Sequence, residues 1–253
     1  MLDCQKHLFR LPKAISYLNG AYFSPLLIKS EQAVLAAMQL MSQPFRLSTA
    51  AFFEPVQHVK ALFAQLINAE SADRICLIPA VSYSIGLAYL GPYFDQGRPI
   101  EDSWLNRVNS DDFSQLVNYQ PTFRPGAARY SVGEHASMLN IAILEKALEQ
   151  LLEWQVPQVQ VYCQRLVRPF ADQLRAAGGR VEEDAYRVDH LFGVQMPQAI
   201  DPTRLHQRLK KQHIHVSLRG TTLRISPNVY NESQDLERLV QEIERAAASA
   251  ELA

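Results

Sequence analysis

Apolar positions recur at helical spacing early in the chain. After Pro25, with Ser30 as the expected N-cap, Val34, Leu35, Met38 and Met41 share one helical face. Val56, Val59, Phe63 and Leu66 predict a second helix. Ile75-Cys76-Leu77-Ile78 is a short apolar run that reads as a buried strand closed by Pro79, and Val81 to Gly86 is expected to open a helix directly from it. Between Ala88 and Trp104 the period is lost. Leu90 to Pro99 has two Pro and two Gly in ten residues, which is turn chemistry, so the internal boundary is placed there, giving segments 1–96 and 97–253.

Beyond that break the pattern is firmer. Met138, Ile141, Leu144, Leu148 and Leu151 form one amphipathic stripe, and Leu166, Phe170 and Leu174 a second, stopped by Gly178-Gly179 as a left-handed C-cap stops a helix. Leu191 to Met196 is strand-like, and Asp201-Pro202 is an N-cap followed by Pro at the first helical position. Ile214, Val216 and Leu218 alternate with His213, His215 and Ser217. After Arg219-Gly220, Leu223 and Ile225 alternate with Thr222, Arg224 and Ser226, which predicts a hairpin with one apolar face. Asn231, with Gln234 three residues on, is the expected cap of a last helix striped by Leu236, Leu239, Val240 and Ile243. The C-terminal half therefore reads as α+β, with helices on one side of a mainly antiparallel sheet.

Composition narrows the class. The 25 Lys and Arg against 26 Asp and Glu give a net charge of -1, which argues against a broad basic face for nucleic acid. No apolar run approaches the ~20 residues needed to span a bilayer, so no membrane partner is expected. Cys4, Cys76 and Cys163 are odd in number and lack metal-ligand spacing, which fits a reduced, cytoplasmic setting.

Four groups are candidates for chemistry. Pro79-Ala80-Val81-Ser82-Tyr83, at a strand-to-helix junction, has the residue types to hold a phosphate at a helix N-terminus, and it equally suits a plain Ser cap. Arg224, on the strand face opposite Leu223 and Ile225, is placed either to clamp a carboxylate or to pair with a nearby acid in solvent. His213 and His215 share a strand face but lack a third ligand at informative spacing, so no metal site is expected. Arg124, Arg129 and Glu134 mark a polar loop before a long helix.

Taken together, these segments are more specific than any one of them. Tyr17-Leu18-Asn19-Gly20-Ala21-Tyr22-Phe23-Ser24-Pro25-Leu26 resembles the opening of the class V aminotransferases, the pyridoxal-phosphate family that includes cysteine desulfurases and isopenicillin-N-epimerase-like proteins. Ile78 to Gly86 resembles that family's phosphate-binding turn. Gly97-Arg98-Pro99-Ile100-Glu101 through Trp104, Arg129-Tyr130 through Glu134, and Leu223 to Asn231 resemble later family segments in order. The resemblance implies an α/β chain: a remnant of a pyridoxal-phosphate-dependent transferase large domain and an intact α+β C-terminal small domain. It also implies cofactor contacts at Val81 and Ser82, a backbone approach near Asn19 and Ala21, and substrate contacts at Asn19 and Arg224.

The chain departs from the family in one respect that bears on activity. Family members carry, between the phosphate turn and the Gly-Arg-Pro-Ile-Glu segment, the His that stacks on the cofactor, the Asp that holds its pyridine nitrogen and the Lys that forms the Schiff base. Here only Leu87 to Gln96 separate those segments, and Lys6, Lys13, Lys29, Lys60, Lys146, Lys210 and Lys211 all lie outside such a turn. The expectation is a shortened pseudoenzyme with no catalytic residue of its own and no covalent cofactor. The alternatives are an aminotransferase or cysteine-desulfurase-type enzyme whose groups are completed by another chain, and a dimerisation or binding module for a full-length relative. A small amino-acid or carboxylate ligand is expected, with a homodimer or a heteromer with a full-length relative.

Overall fold

The computed structural model describes residues 1–79, 85–133 and 136–250. Its regular elements are β1 (Ser16–Tyr17), α1 (Ile28–Met41), α2 (Thr49–Leu66), β2 (Ile75–Pro79), β3 (Ile85–Tyr89), α3 (Met138–Trp154) and α4 (Val156–Ala176). They continue as β4 (Arg180–Val181), β5 (Phe192–Gln195), α5 (Pro202–Lys211), β6 (Ile214–His215), β7 (Ser217–Arg219), β8 (Thr222–Ile225) and α6 (Ser233–Ala250). The chain forms two compact units, residues 1–28 with 154–253, and residues 29–153. Residues 96 and 97, where the turn-rich sequence suggested a boundary, both lie inside the second unit.

The first unit is built on an antiparallel sheet in the order β4-β5-β8-β7. Alternation sends Leu223 and Ile225 of β8 into a core with Phe192 and Val194 of β5, all at most 5% exposed. Leu166, Phe170 and Leu174 of α4 join that core, as do Leu236, Leu239 and Ile243 of α6. Each such side chain contributes about 1.5–3 kcal/mol on burial, so the helical stripes hold the sheet from one side. Local signals set the helix ends. Asp201 Oδ1 accepts from the N–H groups of Thr203 (2.8 Å) and Arg204 (3.2 Å), and Gly178 takes φ +85° where α4 stops.

Two expectations are corrected in this unit. The run from Ile214 to Leu218 is not one hairpin strand: it divides at Val216, and β6 pairs in parallel with β1 (Ser16 with Ile214, Tyr17 with His215) while β7 pairs with β8. The N-terminal segment competes for the β6 edge and wins it, carrying Leu18 fully into the core. Asn231 does not cap α6. It is buried, its Oδ1 accepts from Asn228 N–H, and its amide donates to Tyr17 O and Asp235 Oδ2. Asp235 caps instead, accepting from Glu232 N–H at 3.0 Å.

The second unit packs α2 and α3 on the β2–β3 hairpin, with Val56, Val59, Leu77, Ile141 and Leu148 at its centre. Ser48 caps α2 by accepting from Ala51 N–H at 3.1 Å. Ser30 is corrected from a cap to an interior residue of α1, where it is buried and its hydroxyl donates to Ile143 O. The strand at residues 75–78 is as expected. Of the helix expected over Val81 to Gly86, residues 81–84 lie outside the described residues, and the rest is corrected: Ile85–Tyr89 form β3, antiparallel to β2 with Ile78 opposite Gly86. No helix among the described residues is long and apolar enough to cross a membrane.

Candidate functional site

The groups expected to meet a carboxylate converge in the first unit. β8 presents Arg224 between Gly193 of β5 and Ser217 of β7, on the face away from the core. Gly193 lacks a side chain, and a Cβ there would lie 2.9 Å from Thr222 Cγ2. Arg224 Nη2 donates to Ser217 Oγ (3.4 Å), and Ser217 Oγ donates to Asn19 Oδ1 (2.7 Å). Arg224 Nε is buried without a hydrogen-bond partner. A buried, unpaired guanidinium N–H is costly, and a bidentate acceptor is what relieves it.

Asn19 is positioned by backbone pairing. Ser226 N–H donates to Leu18 O at 2.8 Å, Gly20 N–H donates to Ser226 O at 3.1 Å, and Ala21 N–H donates to Ser226 Oγ at 2.9 Å. Gly20 is required by close approach, since a Cβ there would lie 2.5 Å from Tyr230 Oη and 3.3 Å from Ser226 O. Tyr230 is 2% exposed and its hydroxyl has no partner; burial pushes that phenol well above its ordinary range.

A cavity of about 480 Å³ opens beside Asn19 and Ser217, and its ionisable lining is His206, Lys210, His215 and Arg219 with Tyr17 and Tyr22. No carboxylate lines it among the described residues, so its field favours an anion. Burial lowers the His215 pKa, and the charges of His213 and Lys210 lower it further. His206 Nε2 donates to Val216 O at 3.0 Å, which fixes a proton on that nitrogen.

The candidates divide plainly. Asn19 and Arg224 are brought together through Ser217, which the sequence reading passed over as a polar strand position. Val81 and Ser82 lie outside the described residues. His213 lies at φ +59° before β6, and among the described residues neither it nor His215 belongs to a group of three metal-ligating side chains. Arg129 holds the loop, with Nε donating to Arg124 O (3.0 Å) and Nη1 to Gly97 O (3.1 Å), and Glu134 lies outside the described residues. A separate cluster, His58 with Glu145 and Glu149, was not anticipated. Lys146 Nζ already sits 2.8 Å from an oxygen of each of those carboxylates and offsets one of their two charges.

No protein-family model matches the chain, and no curated protein matches it. Solved structures do. The cysteine desulfurase CsdA from Escherichia coli aligns over 96% of this chain and 98% of that one, at 13% identity and a TM-score of 0.73. A cysteine desulfurase from Thermococcus onnurineus NA1 aligns over 98% and 99%, at 10% identity and a TM-score of 0.70. The cystine C-S lyase C-DES, in complex with cysteine persulfide, aligns over 92% and 98%, at 9% identity and a TM-score of 0.74. The chain thus has the cysteine-desulfurase fold, the pyridoxal-phosphate fold type I of class V aminotransferases.

Pyridoxal phosphate fits the described residues poorly. The residues expected to hold its phosphate, Val81 and Ser82, lie outside the described residues and bear on the fit in neither direction. The cavity beside Asn19 has no carboxylate to keep a pyridine nitrogen protonated, and the one lysine lining it, Lys210, is solvent-exposed.

Proposed function

We propose that this chain is a shortened, class V aminotransferase-like protein that binds a small carboxylate, such as an amino acid, and is non-catalytic on its own. The observation that carries the reading is the buried, unpaired Nε of Arg224 beside Ser217 and Asn19, next to a cavity whose charged lining is wholly cationic. In this reading Arg224 binds the carboxylate. Ser217 holds the guanidinium from one side, and Asn19 Oδ1 accepts the Ser217 hydroxyl's hydrogen bond so that the hydroxyl oxygen stays free to accept from Arg224. Binding needs no general base and no nucleophile, and the chain offers no lysine in a turn of the kind that forms the family's Schiff base.

Association with a second copy, or with a full-length relative, accompanies that reading. Leu35, Met38 and Met41 of α1 are 54%, 51% and 47% exposed, an apolar stripe on one helix that a partner would cover. The test is calorimetric titration with L-alanine, combined with a spectrum after adding pyridoxal phosphate. Saturable carboxylate binding that is lost in Arg224→Ala, without amino-acid turnover, is the expected result. Turnover of an amino acid by the purified chain with pyridoxal phosphate would instead favour the enzyme reading.

A further inference from the structure

Lys60 lies in the second unit, on the inward face of α2, and is 4% exposed. Among the described residues it has no hydrogen bond and no ion pair, and a lysine is seldom buried to this extent without one. Its side chain reaches a cavity of about 750 Å³. Lys146, by contrast, is tied to Glu145 and Glu149. Burial pushes the Lys60 pKa down; Asp73 opposes that shift, Arg124 reinforces it, and Cys76 opposes it weakly.

The remaining charges of the lining are mostly committed. Arg74 pairs with Asp95 and Glu70, and Arg124 lies 3.8 Å from Asp111 and donates to Ser110 Oγ. Asp73 has no ion pair among the described residues. Even with Lys60 charged, four carboxylates face three cations, so the cavity disfavours a phosphate or carboxylate ligand and offers acceptors to hydroxyl groups. A desolvated amine at the wall of a cavity is a setting in which lysine acts as a nucleophile toward carbonyl compounds.

We propose that Lys60 is a carbonyl-reactive amine, and that its cavity takes a small, uncharged, hydroxylated aldehyde. The Nζ lone pair attacks the carbonyl carbon while the C=O π pair moves to oxygen. A proton passes from nitrogen to that oxygen, and loss of water leaves the C=N bond of an imine. No electrons are gained or lost, and the only by-product is water. The site is separate from Arg224 and stands or falls independently of the carboxylate reading.

The full chain is incubated at pH 7 with glyceraldehyde and cyanoborohydride, and the reduced adduct is mapped by peptide mass spectrometry. An exposed lysine of ordinary pKa is about one part in 2,500 neutral at pH 7, so Lys60 is expected to label at least ten-fold faster than any of the other six. Lys60→Met and Lys60→Arg should each abolish the fast adduct, the first removing the amine and the second keeping a cation that forms no imine. Pyridoxal phosphate in place of glyceraldehyde should label Lys60 more slowly. Equal labelling of all lysines, or protection of Lys60, overturns the proposal. Faster labelling by the phosphorylated aldehyde overturns its ligand class.

Discussion

Substituting Gly20 tests how tightly the N-terminal segment is held on the sheet. In Gly20→Ala the new Cβ would come 2.5 Å from Tyr230 Oη and 3.3 Å from Ser226 O. Tyr230 has little room to yield: it is 2% exposed, with the Phe9 ring edge-on at 5.1 Å. Overpacking a well-filled site costs about 1–3 kcal/mol. At about 2–4 °C per kcal/mol for a chain of this size, the melting temperature should fall by roughly 2–12 °C. If the segment lifts, Asn19 is drawn off Ser217 Oγ, and carboxylate affinity should fall as well. Tyr230→Phe removes the clashing oxygen. Because that hydroxyl is buried without a partner, its loss alone should be near neutral, within about 1 kcal/mol. The double variant should therefore recover most of the lost stability, with a coupling of about 0.5–3 kcal/mol. Thermal and urea melts of the four proteins complete the cycle. A neutral Gly20→Ala, or strictly additive effects, would refute the close-packed arrangement.

Two further outcomes follow from the same structure. The folded-state pKa of His215 is lowered, so the unfolded chain binds the extra proton first: its contribution to stability is intact above about pH 6.5 and lost as pH falls below that value. Urea midpoints between pH 5 and 8 should decline on the acid side, and His215→Gln should flatten that decline; an unchanged profile would remove His215 as its source. The α1 stripe should mediate association, so light scattering at low micromolar concentration should give a species larger than a monomer, and Leu35→Glu with Met38→Glu should shift it towards monomer. A monodisperse parent monomer that binds no hydrophobic dye would contradict this.

Much of the fold was legible because local chemistry and tertiary packing agree. Asp201-Pro202, Gly178-Gly179 and the alternation of Leu223 and Ile225 each describe one element and its buried face. Where the sequence misled, a distant segment decided the outcome. Ile85 to Tyr89 has no period strong enough to choose between helix and strand, and pairing with Ile75–Pro79 decides it. Asn231 has the spacing of a cap, yet its amide is taken by Tyr17 O from the other end of the chain. Arg224 is picked out by strand alternation and Asn19 by resemblance, whereas Ser217, which joins them, looks like any polar residue on a strand. Lys60 did leave a trace: it lies four residues after Val56 and four before Ala64, both buried, so helical spacing places it on the inward face.

The most direct test is an isothermal titration of the purified chain with L-alanine, run on the parent, Arg224→Ala and Arg224→Lys, with matched samples assayed for amino-acid turnover in the presence of pyridoxal phosphate. One charge-assisted hydrogen bond contributes about 1.5–3 kcal/mol, so Arg224→Ala should weaken binding by roughly ten-fold or more. Arg224→Lys should recover only part of that loss, because an ammonium cannot reproduce the guanidinium fork. Saturable binding with that order of affinities and no turnover is the predicted result. Turnover by the parent, or binding unaffected by Arg224→Ala, would contradict it.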